Sequence, residues 1–264
     1  MIQTKLSWLS VFTLAIALTG CGGGQESAPA GGASTEGAAA PAAAPSAPID
    51  PATAGSVTGK VAFTGQAPAN PVIRMDATPA CAQANSEPVH ADEVLVNGNG
   101  TLRNVFVYVK DGLGGRTFPA PAEEVEIDQQ GCMYRPHVLG VMVGQKVRIK
   151  NADSTNHNVH PMPTNNREWN VSQPPGGEDL IRDFPRAEVM IPVKCNVHPW
   201  MKTYVGVSAH PFFAVTGEDG SFELKGLPAG EYTIGIWHEK YGTQEMKVTV
   251  EAQKAATADF SITG

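Results

Sequence analysis

Three side chains with soft or borderline metal-donor atoms follow one another at spacings of three residues, namely Cys195, His198 and Met201. They offer a thiolate, an imidazole and a thioether, and His157 lies upstream as the source of a second imidazole. Soft sulfur donors combined with imidazole select copper, and two histidines, one cysteine and a weak axial methionine form the trigonal blue-copper site. The sequence therefore predicts one copper ion held by four protein residues.

Two simpler interpretations compete with this one. Cys195 could be a buried cysteine with no ligand role, beside histidine and methionine residues that are unrelated to it. Zinc also accepts cysteine and histidine ligands, although a methionine ligand argues against zinc. Neither interpretation explains why the donors occur together with the strand motif described next.

The sequence ahead of the first histidine strengthens the copper interpretation. A Val-Gly-x-x-Val-x-x-x-Asn run that ends at Asn151 precedes His-Asn-Val, and a Cys-x2-His-x2-Met loop follows further along the chain. These motifs resemble those of the cupredoxins, and the short loop is most similar to that of amicyanin. The resemblance covers residues 123–209 and implies a Greek-key β-sandwich with one type 1 copper ion, whose ligands would be His157, Cys195, His198 and Met201.

The resemblance also implies roles for neighbours of the ligands. Asn158 would tie the two ligand loops together, unless it is only a turn residue at a strand end. Cupredoxins carry the loop histidine near the surface in an apolar patch, which Pro199 and Trp200 would supply here. Val197 stands where amicyanin and plastocyanin have proline, so it keeps a backbone N–H that can bond to the cysteine sulfur. That hydrogen bond predicts a higher reduction potential.

The elements that position these residues are predicted to be short strands. The chain contains 28 glycines and 21 prolines among 264 residues, which favours turns over long helices. Runs rich in β-branched residues predict strands, and no segment has sustained helical periodicity, so any helix should be limited to one or two turns. The predicted fold class is all-β. Strand-like runs occur at residues 57–63, 105–109, 124–127, 138–143, 146–149, 189–193, 204–207, 233–237 and 245–250.

The two ends of the chain carry a second resemblance. The run from Thr216 to Tyr232 contains Asp-Gly-x-Phe-x-Leu and Leu-Pro-x-Gly-x-Tyr, and a Val-x-Gly-x-Val strand begins at Val57. Both resemble the carboxypeptidase regulatory-like, transthyretin-type β-sandwich. The resemblance implies a sandwich split between residues 56–122 and 210–264, with the copper domain at 123–209 inserted into it. Three consecutive β units are the alternative.

The beginning of the chain has the features of a targeting segment. Lys5 precedes an apolar run from Leu9 to Leu18, which is too short to cross a hydrocarbon core of about 30 Å. The sequence that ends at Cys21 resembles a bacterial lipobox, which implies a signal peptide at residues 1–20 and lipidation of Cys21. Residues 21–55 consist mostly of small residues and proline and predict a flexible linker. The expected location is the bacterial cell envelope.

Cys81 and Cys132 have no place in the predicted copper site. In an oxidising compartment two remaining cysteines usually pair, so a disulfide between them is expected. The alternative is a second metal site formed by Cys81 with Cys132 and His137.

These observations together predict a membrane-tethered electron-transfer protein. Four protein ligands leave no open position for a substrate, so an enzymatic role is not expected. The partner would be a cytochrome, an oxidase or a dehydrogenase, whereas nucleic acid is not expected because the formal charge is -7. Two alternatives remain open: a binding or assembly lipoprotein in which the β-sandwich recognises carbohydrate or protein, and a copper-handling protein.

Overall fold

The computed structural model describes Ser46 and residues 48–264. The predicted signal peptide, Cys21 and most of the linker at 21–55 lie outside the described residues. Within the described part of the chain, no helix has the length and apolar character needed to span a bilayer.

The described residues are all-β apart from one short helix, as the sequence predicts. The helix α1 comprises Pro79–Ala84. The strands are β1 (Ala54–Thr64), β2 (Phe106–Asp111), β3 (Val125–Gln130), β4 (Met133–Arg135), β5 (Val138–Met142), β6 (Val147–Asn151), β7 (His157–Pro161), β8 (Val171–Gln173), β9 (Leu180–Arg182), β10 (Glu188–Lys194), β11 (Lys202–Ser208), β12 (Phe213–Val215), β13 (Ser221–Pro228), β14 (Gly230–His238), β15 (Gly242–Val250), β16 (Ala255–Thr257) and β17 (Phe260–Thr263).

Strands from the two ends of the described region form one pair of sheets, which we call the first sandwich. One sheet has the order β13-β1-β16, with β17 also paired to β1, and the other has the order β12-β2-β14-β15. Alternate residues of β1, such as Val57 and Val61, are fully buried against Val107 of β2 and Ile234 of β14. The period of two in the sequence therefore gives each strand one apolar face for a shared core.

The remaining strands form the second sandwich. Its sheets have the orders β5-β11-β10-β7-β8 and β4-β3-β6-β9, and every one of these strands lies between β2 and β12 in the chain. Ile127 and Ile149 from one sheet pack in the same core as Val159, Ile191 and Val205 from the other. This second core includes Cys195 and Met201, two of the four predicted ligand residues.

The two sandwiches meet around Phe106 of β2, which is fully buried and packs with Val138 and Met190. Gly206 makes this contact possible because a Cβ atom there would lie 2.6 Å from both Phe106 Cζ and Met190 Sδ. The close packing joins β11, which follows the ligand loop, to the first sandwich.

Candidate metal centre

The four predicted ligands lie at the start of one strand and in the loop that joins two neighbouring strands of the same sheet. His157 begins β7, and Cys195 follows β10, which pairs with β7 through Val193 and Lys194. The loop returns to β11 after Met201 and is closed by backbone bonds from Cys195 N to Met201 O at 3.1 Å and from Met201 N to His198 O at 3.0 Å. The antiparallel pairing of β10 with both neighbours thus brings residues about forty positions apart to one end of the sheet.

Three of the four donor groups converge in the buried interior. Nδ1 of His157 lies 2.9 Å from Nδ1 of His198, and Cys195 Sγ lies 3.8 Å from that nitrogen of His198. The donor atoms of these three residues all lie within 4.8 Å of one another. Met201 is fully buried in the same core cluster as Cys195.

This arrangement fits a soft cation. Two unprotonated ring nitrogens cannot hydrogen-bond to each other, and their lone pairs repel when they face each other. A bound cation accepts both lone pairs, and the neighbouring thiolate provides negative charge. The donor set of two imidazoles and a thiolate suits copper, with the Met201 thioether available in the same core.

His157 is oriented by Asp153, a residue that the sequence reasoning missed. Asp153 Oδ2 accepts a hydrogen bond from His157 Nε2 at 2.9 Å, so the proton lies on Nε2 and the lone pair of Nδ1 faces the site. Burial lowers the pKa of His157, but the nearby acidic groups of Asp153 and Cys195 outweigh it and raise that pKa. An acidic residue four positions before the histidine was the available sequence signal.

The thiol of Cys195 lies where its charged form is favoured. Burial raises the pKa of Cys195, but the nearby His157 and the backbone N–H groups of Asn158, His198 and Val197 outweigh it and lower the pKa. The backbone N–H of Val197 thus contributes to the lowering of the Cys195 pKa. A thiolate stabilised in this way is the form that binds metals.

Asn158 connects the two ligand segments. Its Oδ1 accepts a hydrogen bond from Asn196 N at 2.6 Å and lies 3.4 Å from Cys195 Sγ. Its backbone carbonyl accepts a hydrogen bond from the hydroxyl of the buried Tyr134 at 2.6 Å. Asn158 thus holds the start of β7 against the ligand loop.

Cys81 and Cys132 are joined by a disulfide, with Cα atoms 5.5 Å apart. Cys132 lies in the two-residue turn between β3 and β4, where Gly131 and Cys132 have φ of 65° and 57°. Positive φ at both positions is typical of a type I′ hairpin turn. The carboxylate of Asp153 accepts the backbone N–H groups of both residues, at 2.7 Å and 2.8 Å, so one side chain holds this turn and orients His157.

The expectation that His198 lies near the surface is wrong. His198 is fully buried, with 0% exposure, because the disulfide and Trp200 cover it. Cys81 Sγ lies 3.6 Å from His198 Nε2, and the Trp200 ring centroid lies 5.2 Å from that of His198. Burial and the nearby His157 lower the pKa of His198. The sequence could not show this because Cys81 is 117 positions away.

Three histidines outside the predicted ligand set, His160, His210 and His238, have other partners. His160 bonds to Glu168 and Asn196, and His210 bonds to the carbonyl of Val109. His238 is buried in the first sandwich, where its Nδ1 accepts the backbone N–H of Lys240. None of these contacts involves a predicted ligand.

Comparisons with known proteins cover parts of the chain. The sequence profile of the carboxypeptidase regulatory-like domain matches residues 205–263, which include β12 to β17. The comparison with curated protein sequences finds no significant match.

Several solved structures are similar to this chain. A purple cupredoxin from Nitrosopumilus maritimus has 24% identity over 32% of this chain and 99% of its own, with a TM-score of 0.28. An amicyanin variant in the Cu(I) form has 23% identity over 40% and 99% of the two chains, with a TM-score of 0.29. The copper-containing nitrite reductase from Thermus scotoductus SA-01 has 20% identity and a TM-score of 0.30, over 36% of this chain. The match spans only 24% of that reductase.

Proposed function

We propose that this protein binds a single type 1 copper ion and transfers electrons between redox proteins. The observation that carries the proposal is the buried convergence of two imidazole nitrogens and one thiol within 4.8 Å, with Asp153 holding His157 in the tautomer that a metal ligand needs. Bound copper supplies a one-electron couple between Cu(II) and Cu(I). His157, Cys195 and His198 would hold the ion, and Met201 would offer its thioether from the same core.

The surrounding residues favour electron transfer over catalysis. His157, Cys195 and Met201 are each no more than 2% exposed, and four protein donors leave no free position for a substrate. The hydrogen bonds of Asp153 and Asn158 fix the ligands before the metal binds, so little rearrangement is needed when the charge of the site changes. We therefore propose a carrier without enzymatic activity, whose partner is a cytochrome, an oxidase or a dehydrogenase.

The visible spectrum of the Cu(II)-loaded protein tests this function. We expect an intense thiolate-to-copper band that bleaches on reduction, is lost in Cys195→Ser and persists in Met201→Gln with a shifted potential. Asn165→Ser, at an exposed position away from the donors, is the matched control and should keep the wild-type spectrum. A protein that binds Cu(II) but has no thiolate-to-copper band would refute the proposal.

We further propose that the copper domain at residues 123–209 is inserted into the regulatory-like sandwich and that Cys21 tethers the whole protein to an envelope membrane. Support for the insertion comes from the strand order, and support for the tether comes from the lipobox-like sequence before Cys21. Metabolic labelling with a fatty acid should mark the wild-type protein and not Cys21→Ser. Equal labelling of both would contradict the tether.

A further inference from the structure

The side of His198 that faces away from the donor cluster is sealed by the disulfide. His198 Nε2 contacts Cys81 Sγ at 3.6 Å, and His198, Cys81 and Cys132 are all 0% exposed. The cover is fixed on both sides, because Asn85 Nδ2 donates to the carbonyl of Cys81 at 2.9 Å and to that of Gly131 at 3.0 Å. A redox partner therefore cannot touch the His198 ring directly.

Trp200 provides a path through an aromatic ring around this cover. Among the residues that the structure describes, the aromatic rings in contact with His198 are those of His157 and Trp200. His157 is fully buried, whereas Trp200 is partly exposed and is flanked by the exposed Pro199. The indole Nε1 donates to the carbonyl of Cys132 at 3.0 Å, which fixes the ring between His198 and the disulfide turn.

We propose that electrons enter and leave the metal centre through Trp200, because the Cys81–Cys132 disulfide closes the edge of His198. This inference rests on the proposed function. In the reducing direction, a one-electron donor outside the protein is oxidised by one electron, and that electron passes by Trp200 and His198 to reduce Cu(II) to Cu(I). No bond forms or breaks and no proton moves.

Replacement of the indole tests the path. Hexaammineruthenium(II) serves as the donor, and the rate at which it bleaches the Cu(II)-loaded full chain is measured by stopped flow. We expect Trp200→Leu to slow the reaction by on the order of tenfold after correction for any change in midpoint potential. Trp200→Phe should retain most of the rate because it keeps an aromatic ring. Trp169→Leu is the matched control, since Trp169 is also partly buried in the second core but packs against Arg182.

A second readout uses the metal-free full chain and no change at Trp200. Diethyl pyrocarbonate modifies accessible imidazole nitrogens, and mass spectrometry locates the modified residues. We expect His198 to be protected relative to the exposed His90 and to become reactive in the double variant Cys81→Ser and Cys132→Ser. In the Cu(II)-loaded double variant, Trp200→Leu should slow reduction much less, because the edge of His198 is then open.

The outcomes separate this inference from the proposed function. Absence of the thiolate-to-copper band would refute copper electron transfer and with it the path. A blue protein in which Trp200→Leu is reduced as fast as wild type would overturn the path alone. Modification of His198 as fast as His90 in the disulfide form would likewise overturn it, whatever the effect of substitutions at Trp200.

Discussion

Asp153 Oδ2 lies 2.9 Å from Nε2 of His157 and 2.8 Å from the backbone nitrogen of Cys132. One carboxylate thus connects the orientation of a metal-binding imidazole to the turn that carries the disulfide. The ligand set and its cover are therefore not independent parts of the protein. A substitution in the ligand set should therefore have a measurable effect on the disulfide turn, and a substitution in the turn should affect the ligand set.

Asp153→Asn should weaken copper binding. The amide keeps the size of the side chain but loses the negative charge that fixes the tautomer of His157, and removal of such a partner typically costs about 10–100-fold in metal affinity. Competition with a chelator, followed by the visible band, measures the change. Asp179→Asn is the control because Asp179 forms an exposed ion pair with Arg148. Equal affinity in wild type and Asp153→Asn would contradict the role assigned to Asp153.

Val197→Pro should lower the midpoint potential. Proline removes the N–H that helps to stabilise the Cys195 thiolate. Loss of one hydrogen bond of about 1 kcal/mol corresponds to roughly 40 mV for a one-electron couple. Val197 is 51% exposed, so little packing is lost. Voltammetry measures the shift, and Val197→Ala, which retains the N–H, should leave the potential unchanged. A midpoint that does not move in Val197→Pro would show that this N–H does not tune the site.

Removal of the disulfide should destabilise the fold. Cys81 and Cys132 are separated by 51 residues, and a cross-link of this length contributes roughly 4 kcal/mol by restricting the unfolded chain. We expect the double variant Cys81→Ser and Cys132→Ser to lose about this free energy of unfolding in urea.

A thiol count checks the same feature by chemistry. In the unfolded, metal-free Cys21→Ser chain, one reactive thiol is expected, that of Cys195. The same chain treated with a reductant should expose three thiols and unfold at the urea concentration of the double variant. Three thiols without reductant would contradict the disulfide.

Stability should fall with acidification because of His238. Burial lowers the pKa of His238 to about 4 from an ordinary 6.5, against an opposing effect of Glu239 and with smaller contributions from His137 and Lys240. The unfolded chain therefore binds a proton at a higher pH than the folded chain. The stabilisation from the neutral ring is complete above pH 6.5 and is lost as the pH falls towards 4, by roughly 3 kcal/mol in total.

His238→Asn should reduce this pH dependence. The asparagine carbonyl can accept the backbone N–H of Lys240, as His238 Nδ1 does, but it does not titrate. Urea unfolding at pH 7 and pH 4.5 measures the change in the free energy of unfolding between the two pH values. His90→Asn, at an exposed histidine, should show the same change as wild type. If His238→Asn loses as much free energy of unfolding between pH 7 and pH 4.5 as wild type does, another group governs the acid sensitivity.

Much of the fold could be predicted from local patterns. The strands with long alternating or β-branched runs, such as β1, β2, β14 and β15, occur where the sequence predicts them. Short strands were missed, including β4, β8 and β9, because three residues give too little periodicity to distinguish a strand from a loop. β7 was missed although it begins with His157, since its proline and polar residues weaken the strand pattern.

The sequence by itself determined the kind of chemistry, because donor type and short-range spacing are properties of the chain: Cys195, His198 and Met201 share one loop whatever the rest of the fold does. Only the tertiary structure decided which groups surround that loop. The bond from Asp153 to the disulfide turn and the contact of Cys81 with His198 depend on how distant segments pack. Such contacts form because burial of both cores fixes the backbone, and only then do side chains far apart in sequence come within bonding distance.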